Sequence, residues 1–169
     1  MSRRRVASLV LLFLAASAAS ASTILPLKLE DLANRAESIV IGTVADVTPR
    51  FNEARSLILS DVTLAVDETI AGASVSYVTV SEYGGRVGDV ELVVPGLPRF
   101  ERGDRVMLFV CRDALGLPRT CGAAQGRLRV VEGGDGTLRA VGVTGDGPVD
   151  EPVASLKARV RSLRAGGAR

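Results

Sequence analysis

A chain of 169 residues with 21 basic side chains, 19 acidic ones and no histidine lacks the usual general base near neutral pH. Ser-His-Asp and Cys-His catalysis and His-bearing zinc sites go with it. Arg3, Arg4 and Arg5 fall in an expected leader, so the mature chain carries 18 basic against 19 acidic groups, net −1; no concentrated basic face argues for a nucleic-acid partner.

Residues 1–21 have the three parts of a cleavable signal peptide. The arginines form a positive n-region, and Val6 to Ala16 is an apolar run of eleven residues, short of the about 20 needed to cross a bilayer. Ala19-Ser20-Ala21 offers small side chains for cleavage before Ser22. The expected product is exported, periplasmic or secreted, with no transmembrane segment after cleavage. Removing 21 of 169 residues leaves 148, a size that suits one domain over 22–165, with 166–169 as a disordered tail.

Leu29, Leu32, Ala33 and Ala36 have helical spacing, which predicts a short amphipathic helix over 27–37. The period then changes. Residues 38–47 are β-branched and apolar, with Gly42 as a bulge or bend. Residues 57–69 alternate as a half-buried strand, and 75–81 form a third. The stretch 82–104 is rich in Gly and Pro, with a strand-like insert at 90–94. Residues 105–112 (RVMLFVCR) are the most apolar run and read as a central strand. Strands follow at 126–132 and 138–143, separated by the Gly133-Gly134-Asp135-Gly136 turn. Asp150 is placed to cap a final helix whose apolar stripe is Val153, Leu156, Val160 and Leu163. The fold expected is mainly β: a small antiparallel OB-like barrel with a short helix before the first strand and an amphipathic C-terminal helix. A sandwich is the alternative.

Cys111 and Cys121 are the only cysteines. With a hairpin turning at Leu115 to Pro118 they fall roughly opposite each other, where a Cα separation of about 4.5–5.5 Å permits a disulfide. A structural bridge is favoured over redox chemistry, since no His or Lys lies nearby to lower a thiol pKa.

Residues 29–47 (LEDLANRAESIVIGTVADV), 62–72, 94–110 and 122–131 together resemble a group of small exported bacterial proteins of unassigned function. More distantly, Ala36, Ser38, Val40, Gly42 and Val44 are similar to the helix-to-strand motif of netrin-like modules, which include the tissue inhibitors of metalloproteinases. That resemblance implies an OB-fold barrel. Those inhibitors chelate the protease zinc through a mature N-terminal Cys, whereas this chain would begin at Ser22.

Other chemistry has weaker footing. Lys28 and Lys157, the only lysines, sit on predicted amphipathic helices, where solvation is the ordinary state of a lysine. Glu82, Asp89, Glu91, Glu101 and Asp104 lie in the irregular stretch, where two of them could serve as acid and base. Asp135, Asp146 and Asp150 lack the spacing of a calcium loop. Gly84-Gly85-Arg86-Val87-Gly88 precedes a strand, whereas a phosphate cradle precedes a helix. No metal and no cofactor is implied. Two surfaces remain. One comprises Tyr83, Arg86, Arg99, Phe100 and Arg102, as a binding loop or as aromatic plugs with solvated arginines. The other is the basic face of Lys157, Arg159, Arg161 and Arg164, solvated or set against an anionic envelope surface. The leading expectation is a non-enzymatic binding or accessory module whose partner is an unknown protein or envelope component. A small hydrolase using carboxylates in 82–104 and a protease inhibitor are the alternatives.

Overall fold

The computed structural model describes residues 25–167; the expected leader and its cleavage site lie outside them. Helix α1 (Leu29–Arg35) leads into β1 (Ser38–Phe51), followed by β2 (Ile58–Ala71), β3 (Tyr77–Tyr83), β4 (Gly85–Val87), β5 (Val90–Leu92) and β6 (Arg105–Arg112). Then come β7 (Pro118–Thr120), a 3-10 turn (Ala123–Gly126), β8 (Arg127–Glu132), β9 (Leu138–Thr144), β10 (Gly147–Pro152) and helix α2 (Val153–Gly166). The fold is mainly β and antiparallel, with a helix at either end of the strands. β4 and β10 were not expected, whereas β7 is the second strand of the hairpin expected to turn at Leu115 to Pro118. Asp150 is not a helix cap: it lies in β10 and pairs with Arg139 at 2.7 Å, and the helix begins three residues later, after Pro152. That helix also takes in Gly166, the first residue of the expected tail.

The main sheet runs β10-β9-β8-β6-β1-β2-β3, with β7 added to β6, while β4 and β5 pair only with each other. Its ladder is open: no pairing joins β10 to β3 among the described residues. One interior shared by all strands was expected, and the packing differs from that. β1 and β6 are apolar on both faces, so each face needs its own cover. On one side Ile39, Ile41, Met107 and Phe109 pack with Leu32, Leu156 and Val160 of the two helices. On the other, Val40, Val44, Leu108 and Val110 meet Val62, Leu64 and Val80 of the curled β2 and β3.

Gly42 marks the bend that lets β1 serve both sides. The β1–β2 register shifts between Ile41 and Gly42, and a Cβ at position 42 would stand 2.4 Å from the Ala65 carbonyl oxygen. Cys111 and Cys121 lie at disulfide distance, Cα–Cα 5.2 Å. They are not directly opposite, however: Cys111 faces Arg119 in the β6–β7 ladder, so the bridge runs diagonally.

The cations of α2 all have partners, and Arg159 and Arg161 remain exposed to solvent as expected. Lys157 and Arg161 both reach Glu68 of β2, at 2.7 and 3.1 Å, and Arg159 pairs with Glu151. Arg164 donates to the carbonyls of Ala33 and of the C-cap Ala36, each at 2.7 Å, and so satisfies two acceptors at the C-terminal end of α1.

Because β6 is dry on both sides, it should be intolerant on both. Leu108→Ala is expected to cost about 2–5 kcal/mol and Phe109→Ala about 3–5 kcal/mol in urea unfolding. A cost near zero for either one would show that its face is not packed.

Candidate functional site

The site is built where the sheet almost closes on itself. β3 and β7 face each other across a gap that no backbone ladder spans. Side chains span it. The Thr120 N–H and the Thr120 hydroxyl both donate to Oε1 of Glu82, each at 2.7 Å. Arg119, next along β7, donates from Nη1 to the Ser81 carbonyl. Its guanidinium lies 4.1 Å from the centre of the Tyr83 ring, and its Nε is 3.0 Å from the Asp113 carboxylate. Arg119 and Thr120 stand on the chain segment that the Cys111–Cys121 pair pins to β6.

Glu82 is only 5% exposed. Burial raises its proton affinity above the ordinary glutamate value, against the opposing pull of the Thr120 donors and the Arg119 charge. Its second oxygen, Oε2, receives no hydrogen bond among the described residues. Glu82 lines a pocket of about 240 Å³ whose inner wall includes Ser60 and Val62. The β4–β5 hairpin forms one outer wall, through Arg86, Glu91 and Leu92, and the segment 93–101 forms the other.

The chain can enter this hairpin only through glycine. Gly85 has φ +124°, and a Cβ there would lie 2.3 Å from the Ser60 hydroxyl oxygen. That hydroxyl donates to the Gly84 carbonyl at 2.7 Å. The glycines of this run therefore serve backbone geometry.

Of the five residues expected to form a binding surface, Tyr83, Arg86, Arg99 and Phe100 all line this pocket. Arg102 does not; it pairs with Asp46 of β1. Phe100 has a structural side as well, packing against the β2–β3 core beneath the Arg127 guanidinium, 5.1 Å from its ring centre. Among the carboxylates, Glu91 and Glu101 share the lining with Glu82, and Asp89 is exposed in the hairpin turn. Asp104 is bound to Arg127 at 2.6 Å. Asp146 accepts the Leu29 N–H at 2.9 Å, and Asp135 the Thr137 N–H at 2.9 Å. No three His, Cys, Asp or Glu side chains converge as a metal-ligand set among the described residues.

Arg119 and Thr120 were missed from the sequence. They lie 38 positions from their partners, and nothing local marks a tripeptide strand as the other bank of a pocket. No family model, curated protein or solved structure matches the chain. The site must be read from its own geometry.

The raised proton affinity of Glu82 has a direction that can be measured. Below the ordinary carboxylate range the group is protonated in both folded and unfolded chains. As pH climbs through its folded value, the unfolded chain releases the proton first and stability is lost. Glu82→Gln keeps an acceptor for Thr120 but does not titrate. Urea midpoints from about pH 4 to about pH 8 should therefore move in favour of the variant as pH rises; a gap that is constant, or moves the other way, contradicts the burial of this acid. Glu82→Ala strands both Thr120 donors and should cost about 1–3 kcal/mol.

Proposed function

We propose that this protein is an exported, non-enzymatic binding or accessory module and that its ligand seat is the pocket over Glu82. One observation carries the reading: a buried carboxyl group is fixed from one side by β7 and left open on the other, inside a concave site. The surroundings support a seat. Tyr83 is 39% exposed at the rim, with Arg119 holding its ring. Arg86 and Arg99 are exposed beside it, and aromatic and Arg side chains are enriched at interface cores. The volume of about 240 Å³ lies below the about 300–1,000 Å³ typical of drug-sized ligands. That favours a side chain or a small molecule over a nucleotide-sized cofactor. Export rests on the leader pattern of residues 1–21 and agrees with a cysteine pair at disulfide distance.

The test uses the mature chain, beginning at Ser22, as bait on the envelope fraction of its own cell. Tyr83→Ala/Arg99→Ala serves as the comparison, since both side chains are exposed enough to leave the core intact. A component retained by the parent chain and lost from the variant is expected. Equal retention by both would place the binding surface elsewhere.

A further inference from the structure

The chemistry of the pocket floor narrows what it can hold. Oε2 of Glu82 lacks a donor among the described residues, while Oε1 already has two. The nearest protein cation is not free to turn to it: Arg119 is engaged by the Ser81 carbonyl, the Asp113 carboxylate and the Tyr83 ring. Two further carboxylates, Glu91 and Glu101, stand on the same lining, and neither forms an ion pair among the described residues. Arg86 and Arg99 balance their charge at the mouth but, being exposed, do not satisfy the floor. Between floor and mouth, Val62, Leu92 and Phe100 offer apolar surface, as a methylene stem requires.

From this we infer that the pocket seats an alkylammonium group, its N–H donors on Oε2 of Glu82 and its stem against Val62, Leu92 and Phe100. The inference rests on the binding reading above and names its ligand chemistry. An ammonium head adds a donor on Oε2 and a second positive charge beside that of Arg119, and a charge-assisted bond of this kind is stronger than a neutral one. A free amine and a lysine side chain of a partner share this chemistry.

The experiment titrates the mature protein with n-butylammonium, n-butanol, butyrate and Nα-acetyl-lysine methylamide. The reporter is the Thr120 amide resonance, since that N–H is bonded to Glu82 itself. Butylammonium is expected to shift it saturably, with butanol and butyrate at least about tenfold weaker. Glu82→Gln, which keeps the Thr120 bond but presents an amide donor where Oε2 was, should weaken butylammonium by at least about tenfold. In the parent protein the affinity should rise with pH, because the cation competes with a proton for Oε2. The charged and titratable groups around Glu82 are Arg119 and, on the pocket lining, Arg86, Glu91, Arg99 and Glu101, with Tyr83 next to it in β3 and Asp61 behind Ser81. All of them remain in the Gln variant, so loss of the pH trend there isolates Glu82. Tighter binding of the lysine derivative than of butylammonium would point to a protein side chain, and the reverse to a free amine. Equal binding of butylammonium to both proteins would overturn the inference. Preference for butyrate would overturn the cation chemistry alone and leave the pocket as a binding site. If no probe bound, the inference would fall, while the retention experiment would still judge the broader reading.

Discussion

Glu82 joins two strands that have no ladder between them. One carboxylate oxygen takes the backbone N–H and the hydroxyl of Thr120, and the neighbouring Arg119 returns a bond to the carbonyl beside Glu82. These contacts do for β3 and β7 what a strand pair does elsewhere in the sheet: they satisfy buried polar groups that would otherwise be costly. The pocket depends on them, because Tyr83 is braced by the same arginine and the pocket floor is the far side of the same carboxyl group. The structural contact and the candidate site are thus two faces of one side chain.

The remainder of the fold holds that gap at its width. β1 and β6 are buried on both faces, which commits α1 and α2 to one side and the curl of β2 and β3 to the other. The helices are tied in by polar contacts as well as by their apolar stripes. Glu68 of β2 receives two cations from α2, and Arg164 closes the carbonyl end of α1. On the other bank, the Cys111–Cys121 pair keeps the three-residue β7 against β6.

Much of the β architecture was legible in the sequence because alternation and apolar runs are local signals. The runs 38–47 and 105–112 hold unbroken apolar stretches at 39–42 and 106–111, and both become two-faced central strands. β4 and β10 were not legible. β4 is three residues long, and β10 contains Pro148 and ends at Pro152, so propensity hides both. The Asp150 cap failed for a tertiary reason: Arg139 across the β9–β10 ladder claims that carboxylate. Glu82 did carry a readable signal. Val78, Val80 and Glu82 share one strand face by the two-residue period, and the two valines belong to the core. An acid in phase with core valines marks a buried carboxyl. Its partners could not be read, since Thr120 and Arg119 come to it only through the curl of the sheet.

Native-state hydrogen exchange of the Thr120 amide tests the bridge most directly. That N–H is bonded to the Glu82 carboxylate and to no backbone carbonyl, so its protection reports on the β3–β7 contact. Protection comparable to that of the β6 ladder amides is the result predicted for a sheet held shut by Glu82. Exchange as fast as in the exposed turn at 113–116 would contradict it, and would leave neither a fixed floor nor a built pocket.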